Sequence, residues 1–363
     1  MEERRAQLRQ SLGPAMGYLN AIVEMGVLKT FIDYKAFDMI PDSGSISLSE
    51  LARKIGGEHE VLERLAAHLI AADFLTSPAP DHVAHTAKSL TYKSEQMAAG
   101  FLVHVFNMLF QPMAQLPTYF AQHGLASPKH ADVTPFGLAW GHPDKDVYGI
   151  LEAEPALAKV FNSMVGRSGA LYPMKGVYDF SWMQQQVGSL DGERPVFVDI
   201  GGSSGLALRD MLSDNPFVPA ERCAVFDLPK AIENAASSLD PALQSIQLVP
   251  GSIFDPLPPA VRGSLVYQFR RILNDFPDGD VLRSWKTVRE AAASDTRVYV
   301  VEELMQANRT TFQIAQDITF MLVGGKRRTV EMHAALAGAA GFRLNAQFQD
   351  TGNECAVLEF ILA

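Results

Sequence analysis

The stretch Pro195-Val-Phe-Val-Asp-Ile-Gly-Gly-Ser-Ser-Gly205 constrains this chain more than any other. Pro195 to Ile200 reads as a short apolar strand with β-branched residues, and Leu206 to Leu212 as the helix after it. Gly201, Gly202 and Gly205 between them permit a tight turn and let a ligand lie against the backbone. Asp199 sits where the strand meets the turn. The next apolar run, Cys223-Ala-Val-Phe-Asp227, ends on a second carboxylate. A glycine-rich first turn with an acid at the tip of the second strand is a nucleoside-binding arrangement. The acid there can accept hydrogen bonds from both ribose hydroxyls.

The rest of the chain bounds that reading. Its 363 residues allow two domains and a substantial core. Hydrophobic residues make up 47% and charged residues 20%, as in a soluble globular protein. No run of about 18 apolar residues stands out, so no membrane-spanning helix is expected. Met1-Glu-Glu-Arg-Arg5 lacks a secretory apolar segment, and a cytoplasmic protein is expected. Cys223 and Cys355 lie in strand-like runs and read as buried thiols; no Cys/His cluster has zinc spacing, so no metal is expected. A net charge of -10 argues against a nucleic-acid surface.

Leu8, Leu12, Met16, Leu19, Ile22 and Val23 recur at helical spacing over residues 1 to about 30. Ser47-Leu-Ser-Glu50 is a capping box opening a helix toward Ile55. Glu60 to Ala72 is a second helix, with Val61, Leu62, Leu65 and Leu69 on one face. Phe74 to Thr76 and His82 to Thr86 pair as a small β-wing. Helix, turn, helix and wing is a winged-helix pattern, yet Glu58, Glu60 and Glu63 on the second helix would repel phosphates. Residues 1–100 therefore read as a dimerisation and lid element. Phe101 to Phe110 is apolar nearly all round and reads as a buried helix, crossed by a polar stripe of His104, Asn107 and Gln111. That stripe is either a hydrogen-bonded core or dimer contact, or a pocket wall. Ala131 to His142 reads as loop, Glu154 to Met164 as helix, and 101–190 together as a helical linker that walls a substrate pocket.

From 191 to 363, strands (195–200, 222–226, 246–249, 264–268, 296–301) alternate with helices (204–213, 229–238, 278–293). That is an α/β, doubly wound parallel sheet. Two further strands, 342–348 and 354–362, joined by Asp350-Thr-Gly-Asn353, close it as an antiparallel hairpin. This edge fits a methyltransferase sheet better than a dehydrogenase sheet.

With these residues in hand, the chain resembles the plant- and fungal-type small-molecule O-methyltransferases that use S-adenosylmethionine (SAM). The resemblance rests on Val198 to Gly205, Val225-Phe-Asp-Leu-Pro229, Pro250-Gly-Ser-Ile-Phe-Asp-Pro-Leu-Pro258, Tyr267 to Asp278, Gly325-Lys-Arg-Arg-Thr329 and Ala340-Gly-Phe342. It implies a class I, Rossmann-like SAM domain with a winged-helix dimerisation domain that swaps into a homodimer. It also implies SAM, or S-adenosylhomocysteine (SAH), on the glycine turn. Asp199, Gly201, Gly202, Gly205, Asp227, Leu228, Ser252, Ile253 and Arg270 would then hold the cofactor. One of these departs from the family: Ser252 stands where an acid usually contacts adenine.

The catalytic positions depart further. The family's His-Asp-Trp, whose histidine takes the substrate's proton, is Asn274-Asp275-Phe276 here. An amide cannot act as a general base. The glutamate that orients the histidine matches Glu302, but the second supporting glutamate is Arg327. One reading is a methyltransferase with another base, or with an acceptor acidic enough to be methylated by proximity. The reading placed first is a loss of methyl transfer, as in the SAM-binding pericyclases of fungal polyketide and pyridone pathways that this pattern resembles. Such an enzyme folds a polyketide-derived substrate in an apolar pocket and aims donors at a carbonyl. Asn274, His104, Arg271 and Arg327 are the candidate donors, and Asp275 can orient a donor or act in a dehydration. A third reading is a non-catalytic SAM-binding regulator.

Overall fold

A computed structural model of the chain describes residues 2–168, 174–190, 192–349 and 355–363. It has two compact units, Met1–Phe110 with Lys159–Met164, and Gln111–Ala158 with Val165–Ala363.

The first unit opens on the helix Glu2–Asp33. Its apolar row Leu8, Leu12, Met16, Leu19, Ile22 and Val23 faces outward, and burial begins only at Val27, Leu28 and Phe31. Those three join Phe37, Leu51, Leu69 and Phe74 in the unit's core. Ser47 caps the helix Leu48–Ile55 as its spacing predicts, accepting the Glu50 N–H at 3.1 Å. Glu50's carboxylate pairs with Lys54 at 3.3 Å. In the next helix, His59–Ala71, the buried face is Leu62, Ala66 and Leu69. Val61 was expected on that face and is instead 51% exposed. The strands β1 (Ile46–Ser47), β2 (Leu75–Thr76) and β3 (His82–His85) form an antiparallel sheet in the order β1-β3-β2. The β2–β3 pair follows the predicted wing; the two-residue β1 is too short to show in a periodicity.

Two expectations for the middle of the chain need correction. Phe101–Phe110 is not a buried helix: Phe101 is 46% exposed, and Val105–Phe110 is a π-helical turn in which only Met108 is buried. An all-round apolar composition does not say which neighbour covers it. Moreover, residues 97–123 run helical without a break, and by length and composition this 27-residue stretch is apolar enough to cross a bilayer. Its polar stripe of His104, Asn107 and Gln111 would be costly in lipid. Further on, the predicted loop 131–142 contains a short helix, Pro135–Trp140, because Thr134 caps it and Pro135 fits the first helical position. The helix Pro155–Ser168 extends the one expected over 154–164.

The second unit is built on a seven-stranded sheet. Its strands are β4 (Phe197–Ile200), β5 (Cys223–Asp227), β6 (Gln247–Pro250), β7 (Val266–Arg270), β8 (Arg297–Glu303), β9 (Phe342–Gln349) and β10 (Cys355–Leu362). The order is β6-β5-β4-β7-β8-β10-β9, parallel from β6 to β8, with β10 antiparallel to both neighbours. The predicted strands match to within about two residues. The predicted turn at 350–353 lies outside the described residues. Both faces are covered: Val198, Phe269, Val300 and Trp285 pack on one, and Phe197, Val266, Tyr299 and Val357 on the other. That burial explains the nearly continuous apolar runs of the parallel strands. Chain order reverses between β4 and β7, and a crevice outside the strands' carboxyl ends is the usual ligand site of such sheets. The glycine turn follows β4 and the Asn274 segment follows β7, so the two flank this point.

Candidate active site

The cofactor side is built from the turns after β4, β5 and β6. Gly201 has φ +72°, and a Cβ added there would meet the Ile272 side chain at 2.2 Å; one at Gly202 would meet Asp199 Oδ2 at 2.7 Å. Asp227 ties two turns together, accepting the Ser203 N–H at 2.8 Å and the Leu228 N–H at 2.7 Å. Burial raises its pKa, against those two donors. Asp199 is 1% exposed; Gln268, its register partner on β7, donates to Oδ1 at 2.9 Å. Asp199 Oδ2 is buried and has no partner among the described residues. Burial pushes this carboxyl up to about 6, and Gln268 and then Arg270 oppose the rise. Ser252 Oγ accepts the Phe254 N–H at 3.2 Å, so it shapes the turn beside the buried Ile253. A tight glycine cradle, an unpartnered buried carboxylate oxygen and an acid one strand away fit a bound nucleoside.

On the other side of the reversal lies a buried polar cluster that brings Arg271, Asn274, Asp275, Glu302 and Arg327 together. Glu302 was expected to orient the side chain at 274. Its Oε1 instead accepts backbone N–H groups of Ile272 at 2.9 Å, Leu273 at 2.8 Å and Asn274 at 3.4 Å, so it shapes the segment itself. Burial first, then the charge of Asp275, pushes it up to about 8, against those three donors. Asn274 is 1% exposed; Nδ2 donates to the Glu303 carbonyl at 3.3 Å, and Oδ1 is buried with no partner among the described residues. Arg271 takes a left-handed backbone at φ +53°, strain of a kind that collects at functional sites, and its guanidinium lies 4.0 Å from Glu303.

Arg327 is 2% exposed and acts on its own chain. Its guanidinium donates to the Glu303 carbonyl at 3.3 Å, the Leu304 carbonyl at 3.0 Å and Gln316 Oε1 at 3.2 Å. It therefore fastens the end of β8 to the helix Thr311–Met321. Arg327→Ala is expected to destabilise the protein by about 3 kcal/mol, since buried acceptors lose a charged donor. Differential scanning calorimetry checks this as a lowered Tm. An unchanged Tm would remove the fastening role. His104 belongs to the first unit; burial lowers its pKa to about 4, and its Nδ1 has no partner among the described residues.

Two residues of the cluster escape the sequence reading. Glu303 is 5% exposed; its Oε1 accepts no hydrogen bond among the described residues and faces the Arg271 guanidinium at 4.0 Å. Tyr148 comes from the helix Val147–Ala153 and donates its hydroxyl to Asp275 Oδ2 at 2.7 Å. Glu303 follows Glu302 directly, a doublet that was the available signal; nothing in sequence spacing links Tyr148 to Asp275. A separate cavity of about 530 Å³ opens among His130, Asp144, Glu152, Phe254, Asp280 and Arg283 and includes none of the expected site residues.

Sheet order, glycine turn and paired acids together define a class I SAM-dependent methyltransferase fold. Residues 134–343 match the O-methyltransferase domain and residues 16–104 the O-methyltransferase dimerisation domain. The chain belongs to the O-methyltransferase family, and SAM is its cofactor. It is 44% identical to "Methyltransferase phm5" of Pyrenochaetopsis sp. over 357 residues, 98% of each chain. In fold it is similar to OxaC, solved with sinefungin and meleagrin, with a TM-score of 0.86 at 22% identity over 98% of this chain and 89% of that one. It is also similar to a structure described as a pericyclic reaction enzyme, with a TM-score of 0.77 at 22% identity over 100% and 93%.

Proposed function

We propose that this protein methylates a heteroatom of a small secondary metabolite, and that the acceptor's proton is not taken at position 274. The observation that carries the reading is an intact cofactor cradle at Gly201, Gly202, Asp199 and Asp227 beside a neutral amide at Asn274. The 44% identity over 98% of a chain named a methyltransferase supports it. Bound SAM would supply an electrophilic methyl group on its sulfonium. The chain's own residues hold and orient. Asp227 would accept from the ribose and the Ser252–Ile253 turn would border the adenine, while Arg270 lies near Asp199. Asn274 Oδ1 is a buried acceptor with no hydrogen bond among the described residues, which suits an acceptor molecule carrying O–H or N–H groups. An acidic O–H or N–H lowers the demand on the base. The dimerisation domain supports a working homodimer.

The pericyclic reading, placed first from the sequence, is kept here as the second. The absence of a histidine at 274 and the fold similarity to the pericyclic reaction enzyme favour it. One incubation with SAM and candidate polyketide-derived metabolites separates the two. The proposal expects one SAH per product, and a product heavier by one methyl in place of a hydrogen. An isomeric or dehydrated product with no SAH would sink it.

A further inference from the structure

We propose that Tyr148 and Asp275 form a dyad that takes over the proton: Asp275 Oδ1 receives it from the acceptor molecule, and Tyr148 positions the carboxylate through Oδ2. The inference rests on the methyl-transfer reading and deepens it.

The geometry assigns the two oxygens different tasks. Oδ2 is engaged by the Tyr148 hydroxyl at 2.7 Å. Oδ1 accepts no hydrogen bond among the described residues, and the side chain as a whole is half-buried. A carboxylate held by one oxygen and open at the other is oriented and still reactive. Tyr148 is itself fixed. Its ring lies 5.9 Å from the Phe276 ring, which meets Phe254 edge-on at 5.0 Å. Asp146 caps the helix that carries it, accepting the Gly149 N–H at 2.7 Å. The backbone of the acid is fixed as well: Glu302 grips the amides of Ile272 to Asn274, and the Asp275 N–H donates to the Ile272 carbonyl at 3.1 Å.

The charges around Asp275 suit a group that must change protonation state. Burial is the main influence and pushes it up to about 6, near a working pH. Tyr148, Arg271 and Arg328 pull it down, while Glu303 pushes it up. Glu302 also faces it, since the charge of Asp275 raises the pKa of Glu302. Tyr148 titrates well above its ordinary value, chiefly through burial, and feels Asp275, Asp227 and Asp146, so it stays a donor. The step balances without another reactant. The heteroatom keeps the electron pair of its bond to hydrogen and uses it for the new bond to carbon. The proton goes to Asp275 Oδ1, and the carbon–sulfur pair returns to sulfur.

The test is read in two ways. First, the side-chain carboxyl ¹³C resonance of Asp275, assigned by its loss in Asp275→Asn, is titrated in the protein without cofactor. Its midpoint is expected near pH 6 and about one pH unit higher in Tyr148→Phe, because a donor to the charged form is gone. Second, kcat/KM is expected to fall below the same midpoint. That limb moves up with the midpoint in Tyr148→Phe and disappears in Asp275→Asn. Tyr148→Phe keeps its ring packing, and its Tm verifies folding. A midpoint that does not move in Tyr148→Phe overturns the dyad, as does a limb that persists in Asp275→Asn. Turnover without SAH overturns the methyl-transfer reading alone, and the carboxyl titration still decides the dyad.

Discussion

Gly325→Ala is expected to reduce turnover at least about 100-fold while leaving SAM affinity within a few-fold of wild type. A Cβ built at Gly325 would stand 1.9 Å from the carbonyl oxygen of Asn274 and 2.6 Å from the carbonyl carbon of Asp275. Both are backbone atoms, so no side-chain rotation relieves the contact. The neighbouring chain cannot easily give either. The Lys326 N–H donates to that Asn274 carbonyl at 2.9 Å. The fully buried Arg328 holds the carbonyls of Leu273 and Phe276, each at 2.7 Å, and pairs with Asp278 at 2.9 Å. Relief must come from a shift of the 272–276 segment. A misplacement of about 1 Å in a reacting group costs about two orders of magnitude in rate. The clash falls on the backbone of Asn274 and Asp275, whereas the cofactor cradle meets the segment through the Ile272 side chain against Gly201, so SAM affinity changes far less than turnover. Calorimetric titration with SAH and steady-state turnover of the same preparation check the split. Equal losses in both would mean general misfolding; no loss in either would mean that the segment does not position the chemistry.

That segment also marks where the sequence stops being readable. The glycine turn and Asp227 are legible because a strand, a tight turn and a helix must follow one another locally, and their residue types leave few alternatives. Asn274 is legible as a departure because the surrounding motif fixes its place. What each side chain bonds to is not. Arg327 carries a charge that suits a substrate carbonyl, but only the packing of β8 against the helix Thr311–Met321 turns it onto backbone carbonyls. Glu302 has the expected position and a different partner, the amides of 272–274, because the chain after β7 folds back over the end of β8. Tyr148 reaches Asp275 from 127 residues upstream, a contact to which no periodicity or spacing points. The helix over 101–110 fails for the opposite reason: its apolarity is plain, but the surface that covers it is not encoded locally.

The cofactor side yields the other large effect. Asp227→Ala is expected to weaken binding of SAM and SAH about 100- to 1000-fold. A carboxylate accepting from two ribose hydroxyls makes two charge-assisted hydrogen bonds, together about 3–4 kcal/mol. The loss has a second source in this protein. Asp227 already accepts the N–H groups of Ser203 and Leu228, and Ser203 holds a left-handed backbone at φ +52° without being glycine. Removing the carboxylate frees both turns at once, so part of the loss is cradle geometry. A cycle separates the parts. SAH and its 2′,3′-dideoxy analogue are titrated into wild type and Asp227→Ala. If Asp227 reads the ribose, wild type discriminates strongly between the two ligands and the variant hardly at all. The variant's residual weakness toward the dideoxy ligand then measures the turn alone. Undiminished discrimination in Asp227→Ala would place the ribose contact on another residue and leave Asp227 as the tie between the turns.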